Sequence, residues 1–477
     1  QTVTGPVMLT PVQHWFFEQN FAHPNHWNQS VLLEINNPIE LYKLEKIFKL
    51  LIRQHDALRI RFQKEDLNWQ QFNYDEDIEN CLIEYIKIES TEAKNLSEWI
   101  EYEANQFQGR LNITSGPLIG VLYMDTGETS AHRLLIIIHH LLTDGVSWGI
   151  ILEDLQYFYS NYENIDNMKL LVKSTSYSFW ANELVRISQS NEVLNEYGHW
   201  ANIIKQGNTS LPADFFSDEA IEETADSIVI DLTAVSTKKL LKEAVLNFQA
   251  QPNEIVLAVL GKVLLQWAEI SNMIITIEGH GREVLSQNMD LTRTVGWFTS
   301  IYPLLIRNED DDVQLLIDGI KKQLQSFPNY GTGYGMLRYL GQIDEQSKAN
   351  LEYKNQVLFN YWGQIDQLFQ KSEIFKMGKE SRGYERSSKN KIPFLLEVNG
   401  GISNGHLHLE WTYSKAKLKY QTVKVLTDSF INELEKVISR ERTKDKVYDV
   451  NELSKFGWEK SEIDNILTLI NQSGEIN

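Results

Sequence analysis

The sequence predicts two α/β lobes in tandem, and three observations carry that reading. At 477 residues the chain is too long for one compact core and has room for two lobes of roughly 200 residues each. Short apolar runs of strand length alternate with stretches whose apolar residues recur at helical spacing. After a more polar stretch near 160–178 the same alternation begins again. The expected divisions are residues 1–180, 181–440 and a separate tail at 441–477.

TPVQHWFFEQN (10–20) carries the marks of a capped helix start. Thr10 stands at the N-cap, Pro11 in the first turn and Gln13 three residues after the cap. SVLLEI (30–35) reads as a strand, and 41–55 as a helix with Leu44, Ile47, Phe48, Leu51 and Ile52 on one face. HDALRIRF (55–62) turns into a further strand, and 96–106 is helical with Asn95 as a possible cap. PLIGVLYM (117–124) and HRLLIIIHH (132–140) read as neighbouring strands before a helix over 145–159, capped by Thr143 or Asp144. In the second half, strands are expected at 227–232, 273–281, 357–363 and 406–414, and helices at 236–248 and 253–268. The charged, Ser/Gly-rich stretch 371–390 reads as an exposed loop or hairpin tip. The tail carries an amphipathic segment, SEIDNILTLI (461–470), read equally as a docking segment or as a helix packed on its own lobe.

Composition narrows the function classes. With 45 basic and 65 acidic residues the net charge is −20, and no basic stripe offers itself to a nucleic-acid backbone. An anionic membrane would repel such a chain, and no apolar run approaches the roughly 20 residues a membrane helix needs. The single cysteine, Cys81, allows no internal disulfide and suits a reducing cytoplasm. Asn28, Asn112, Asn208 and Asn471 match the glycosylation sequon, as chance allows in an Asn-rich chain. The start QTVTGPV, without methionine, suggests a piece of something longer.

The chemistry-bearing stretch is HHLLTDG (139–145), set directly after the apolar run 134–138. Strand geometry sends successive side chains to opposite faces, so His139 and His140 cannot both reach one site if the strand persists. That counts against a metal centre, as does the missing third ligand. His406 and His408 share a strand face but find no further ligands in the pattern, so no metal is expected. Asp144 and Ser147 raise a Ser-His-Asp hydrolase. There is no G-x-S-x-G elbow, however, and Ser147 falls in the first turn of a helix, where a hydroxyl commonly caps backbone.

HHLLTDGVSW (139–148) resembles the H-H-x-x-x-D-G signature of the condensation-domain superfamily of nonribosomal peptide synthetases. Further stretches resemble the motifs of its epimerization branch, in the family order. They are LTPVQHWFFEQN (9–20), IEGHGRE (277–283), TRTVGWFTSIYP (292–303), PNYGTGYGMLRYL (328–340) and LFNYWGQ (358–364). The resemblance spans residues 8–435 and leaves the tail outside. Trp362 and Thr143 depart from the commoner residues without altering an acid, a base or a histidine.

The resemblance implies two chloramphenicol-acetyltransferase-like lobes in a V-shaped pseudo-dimer, with a tunnel between them. It implies that His140 faces the tunnel and that Asp144 is structural and tied to an arginine, for which Arg59 or Arg61 is the expected partner. His139, Gly145 and Ser147 fall in the structural part of the motif. The implied substrate is an aminoacyl or peptidyl group held as a thioester on the phosphopantetheine of a peptidyl carrier protein. The phosphopantetheine then belongs to the partner, and this chain binds no cofactor of its own.

Inverting a thioester-bound α-carbon requires removing a proton from one face and returning one to the other, while charge on the thioester oxygen is stabilised. Glu278, ending an apolar strand, is a credible base, because burial would raise its pKa toward neutrality. His140 is the second acid/base or a donor to the oxygen. Glu278 could instead be salt-bridged to Arg282 or His280; Arg282 is expected to hold Glu278 or to dock the anionic arm. Asn360 and Tyr361 are expected to place an amide and a hydroxyl in the same cleft, or else to pack in a strand. The rival readings are a condensation domain joining two carrier-bound acyl groups, and an inactive member that only docks carriers.

Overall fold

The computed structural model describes residues 3–440 apart from 67, 76–80, 89–94, 128–129, 168–169, 208–209, 218, 284, 286–288, 308–311, 355 and 365–374. The tail expected at 441–477 lies outside the described residues.

The first half of the chain supplies β1 (Gly5–Val7), β2 (Asn28–Ile35), β3 (Ile60–Glu65), β4 (Asn68–Asn73), β5 (Leu82–Lys87), β6 (Ile119–Asp125) and β7 (His132–His139). The second supplies β8 (Ala225–Asp231), β9 (Asn272–Gly279), β10 (Ser300–Arg307), β11 (Val357–Gln364), β12 (Lys376–Met377), β13 (Leu396–Ser403) and β14 (His406–Ser414). They form a three-stranded sheet β1-β4-β3, a five-stranded sheet β12-β2-β7-β6-β5 and a six-stranded sheet β10-β9-β11-β13-β14-β8. Both larger sheets are mixed: β5–β6, β9–β11 and β11–β13 run parallel and the other pairs antiparallel. Each larger sheet anchors one chloramphenicol-acetyltransferase-like lobe.

Helix α1 (Pro11–Glu18) starts where the sequence placed it, with the Thr10 N–H donating to Gln13 Oε1 at 3.0 Å. α2 (Leu41–Gln54), α3 (Leu96–Gln108) and α4 (Gly145–Ser160) follow in the first lobe. β7 is buried along its whole length, and its Leu-Leu-Ile-Ile-Ile run suits a central strand covered on both faces. The helix Pro252–Ala268 is apolar nearly all round and buries eleven of its residues, as a helix in the middle of a lobe must. Each fully buried Leu, Val or Ile there contributes about 1.5–3 kcal/mol relative to exposure.

The stretch 375–390 corrects the expectation of an exposed loop. It crosses from the second lobe to the first and adds β12 to the edge of β2. The Gly378 N–H donates to Leu32 O at 2.8 Å, and the Asn28 N–H to Glu385 O at 2.7 Å. Its charged residues made it look solvated; Lys376, Lys379 and Lys389 are indeed exposed, but Glu380, Glu385 and Arg386 are turned onto partners in other elements. No described helix is long and apolar enough to cross a membrane.

Candidate active site

β7 ends at His139, and His140 opens a single 3-10 turn, His140–Leu142. The two rings diverge as alternation requires. His139 is fully buried in the first lobe, donating from Nε2 to Pro24 O (2.8 Å), accepting the Leu141 N–H at Nδ1 (3.2 Å) and meeting the Phe16 ring edge-on. Burial drives it down to about 3, so it is a neutral structural residue.

His140 faces the other lobe, its ring 4.4 Å from that of Trp297. Its Nδ1–H donates to Thr143 O at 2.9 Å. Its Nε2 meets the side-chain amide of Gln29 at 3.1 Å, and Gln29 Oε1 accepts the Trp148 indole N–H at 3.0 Å. Burial and the Arg386 charge lower His140 to about 4, against a smaller upward pull from Asp144.

Asp144 caps α4, accepting the Ser147 N–H at 2.8 Å. Its arginine is Arg282 from the second lobe, at 3.1 Å, and not Arg59 or Arg61. Arg59 is consumed inside its own lobe by Asp56, Ile52 O, Tyr74 O and Val3 O, and Arg61 bonds Ile60 O. Asp144 also accepts the Phe298 N–H, while Ser147 Oγ donates to Gly296 O and accepts from Arg282. Asp144 and Ser147 therefore latch the two lobes together. Gly145 opens α4 at the surface, where an added Cβ would meet nothing within 4 Å.

Arg282 does not hold Glu278. Its guanidinium is spent on Asp144, Ser147, Leu291 O and Thr294 O and lies over the Phe298 ring at 3.9 Å. His280 faces Glu283 instead. Among the described residues Glu278 has no ion-pair partner. It sits near the end of β9, opposite Ile301 of β10.

Strand register decides which groups share the Glu278 face. Phe359, Val398 and Trp411 are register neighbours on β11, β13 and β14, and the Trp411 ring packs on Phe430 of the helix Tyr420–Ile438. That face is the lobe's core. The alternate residues turn the other way: Thr276 and Glu278 on β9, Leu358 and Asn360 on β11, Glu397 and Asn399 on β13. This face meets the first lobe, since Ile301 lines a cavity of about 40 Å³ with Pro11, Val12 and Trp15. Asn360 thus joins Glu278, whereas Tyr361 falls on the core-side face with Phe359, its ring stacked at 6.5 Å. The expectation that both residues enter one cleft fails for Tyr361, because adjacent strand residues point oppositely.

The crossing segment supplies the charges that sequence reasoning missed. Arg386 lies over the Trp27 ring at 4.2 Å and pairs with Glu222 at 3.1 Å and Glu397 at 3.4 Å. Its neighbour Glu385 accepts from the Ser30 N–H and hydroxyl at 2.9 and 2.6 Å. Burial first, then repulsion by Glu397, push Glu278 up to about 7, against an opposing pull from Arg386. The Arg386 guanidinium lowers both groups, adding to the effect of burial at His140 and opposing it at Glu278. His406 and His408 are engaged elsewhere, with Leu232 O and Asp231.

A profile of the condensation domain matches residues 3–457. The chain belongs to the condensation-domain family. It is 37% identical over 92% of its length to a component of the linear gramicidin synthase of Brevibacillus parabrevis, and 32% identical over 91% to gramicidin S synthase 1 of Brevibacillus brevis. It spans 9% and 40% of those two proteins. Among solved structures it is similar to the epimerization domain from the third module of tyrocidine synthetase B, with a TM-score of 0.85 and 30% identity, covering 92% of this chain and 98% of that one. The X-domain from teicoplanin biosynthesis shares the fold, with a TM-score of 0.71 at 16% identity over 91% of this chain and 95% of that one. His140 is thus a neutral imidazole turned toward the second lobe, and Glu278 is a carboxylate raised to about 7 on the face turned toward the first.

Proposed function

We propose that this chain is an epimerization domain of a nonribosomal peptide synthetase. In this reading it interconverts the L and D configurations at the α-carbon of an aminoacyl or peptidyl thioester, carried on the phosphopantetheine arm of a peptidyl carrier protein. The observation that carries it is Glu278: a carboxylate on the interlobe face, without an ion pair among the described residues and raised to about 7. A general acid–base catalyst works best when its pKa lies near the working pH.

In one direction a neutral base, His140 Nε2, takes the α-proton, and the electron pair moves into the thioester as an enolate. Glu278 in its protonated form returns a proton to the opposite face as the carbonyl reforms. His140 is left as imidazolium and Glu278 as carboxylate, so the number of protons on enzyme and substrate is unchanged. The reverse inversion starts from that second state. The similarity to an epimerization domain over nearly the whole chain supports the same reading. The family match covers condensation domains as well, so amide formation between two carrier-bound acyl groups is the second reading.

The test uses a carrier protein loaded with an L-aminoacyl group in D2O, with chiral chromatography and mass spectrometry. The expected result is D product with deuterium at Cα, abolished in Glu278→Gln and His140→Ala. Absence of exchange with several loaded carriers, together with amide formation when donor and acceptor carriers are both supplied, would replace this reading by the second.

A further inference from the structure

Gln29 and Trp148 form a chain of two hydrogen bonds that ends on Nε2 of His140. The direction of every bond in it follows from what the groups can donate. An indole nitrogen only donates, so the Gln29 atom that meets Trp148 at 3.0 Å is the amide oxygen. The amide –NH2 is then turned toward His140 Nε2 at 3.1 Å, and an –NH2 has no lone pair to offer. Nε2 is therefore the acceptor. The other ring nitrogen agrees, because Nδ1 faces the Thr143 carbonyl, which can only accept. A proton on Nε2 would oppose two N–H groups across 3.1 Å, and Gln29 could relieve that only by turning its oxygen away from Trp148.

We propose that Gln29 is a positioning residue that, oriented by Trp148, keeps the His140 ring neutral with Nε2 as its lone-pair nitrogen. This rests on the epimerase reading for its catalytic meaning, though the proton placement stands by itself. In the resting site the Nε2 lone pair is held by the Gln29 amide at 3.1 Å, so the amide gives way when His140 takes the α-proton, and inversion starting from imidazolium must work against the relay. The charged and titratable groups that act on His140 are Arg386 from the crossing segment, Asp144, itself paired with Arg282, and His139 behind it. Arg386 acts in the same sense as Gln29, and Asp144 in the opposite one. The downward displacement of His140 to about 4 by burial is consistent with the relay.

Nothing in the local pattern marks Gln29, a polar residue one position before the strand expected at 30–35. The test is the titration of His140 in the whole chain, labelled with 13C and 15N at histidine and assigned by loss of its signal in His140→Gln. Wild type should show a neutral ring with hydrogen on Nδ1 and no titration above about pH 5. Gln29→Glu, which offers Nε2–H an acceptor, should raise the titration by at least about one unit. Trp148→Phe, which frees the amide to turn its oxygen toward Nε2, should also raise it while leaving Gln29 in place. A wild-type ring that titrates near 6.5, carries its hydrogen on Nε2, or ignores both substitutions would overturn the proposal. The titration needs no substrate, so its failure is separable from failure of the epimerase reading. Shifted titrations without α-proton exchange would uphold the relay and sink the reaction. Exchange with unshifted titrations would uphold the reaction and sink the relay.

Discussion

Asp144→Ala removes the acceptor on which both lobes converge. Its carboxylate takes the Ser147 N–H at 2.8 Å in its own lobe, and the Phe298 N–H at 3.0 Å and Arg282 at 3.1 Å from the other. Both charged side chains of the pair are nearly closed to water, at 9% and 7% exposure. Removing one partner of a buried pair costs about 3–5 kcal/mol, because the survivor stays buried and uncompensated. The lost helix cap, worth about 1 kcal/mol, overlaps with that figure. At about 2.1 cal/mol/K of unfolding entropy per residue, roughly 440 residues melting together carry about 0.9 kcal/mol/K. The melting temperature should therefore fall by about 3–5 °C in a calorimetric scan. Arg282→Met should cost a similar amount, and the double variant much less than the sum, with a coupling energy above about 1 kcal/mol. Arg59→Met should combine with Asp144→Ala additively. A loss below about 1 °C for Asp144→Ala, or additivity with Arg282→Met, would refute the interlobe latch.

Three further expectations follow from the same geometry. Glu278 is raised from its ordinary value to about 7, so it contributes stability below about pH 4.5 that is lost as pH rises to 7. Glu278→Gln should remove up to about 3 kcal/mol of that slope in denaturant titrations at several pH values; identical slopes would show that the folded and unfolded carboxylates titrate alike. Glu397→Gln removes a repulsive neighbour, so the limb of the exchange–pH profile governed by Glu278 should move down by up to about one unit for both L- and D-loaded carriers, and an upward movement would contradict the charge arrangement. Gly281 has φ +62°, and an added Cβ would lie 1.7 Å from Phe298 O. Gly281→Ala should cost at least about 1–3 kcal/mol from backbone strain alone, read as a lower melting temperature, and an unchanged one would mean that the turn relaxes freely.

Sequence by itself determined most of what depends on local pattern. The capped start of α1, the runs of β7 and β14, the α4 helix and the divergence of His139 from His140 all follow from spacing and alternation within a few residues, and the structure chose Asp144 over Thr143 as the α4 cap. The ordered motifs likewise pointed to the family, and to Glu278 and His140 as the pair to watch. Only the tertiary structure decided who meets whom across the lobes. Arg59 and Arg61 looked like partners for Asp144, yet Arg282 took that place, because pairing across 138 residues leaves no periodic trace. The charged stretch around Arg386 read as solvated for the same reason: two of its partners, Glu222 and Trp27, belong to distant parts of the chain, and the third, Glu397, is brought to it by the pairing of β13. Alternation alone parts Asn360 from Tyr361, but only register with β9 and β13 said which of the two turns to the core. Gln29 gained meaning from an indole 119 residues away and an imidazole 111 residues away. Short-range periodicity reports the shape of an element and the face it buries; the protonation of a site is set by whichever groups the fold carries to within hydrogen-bond reach.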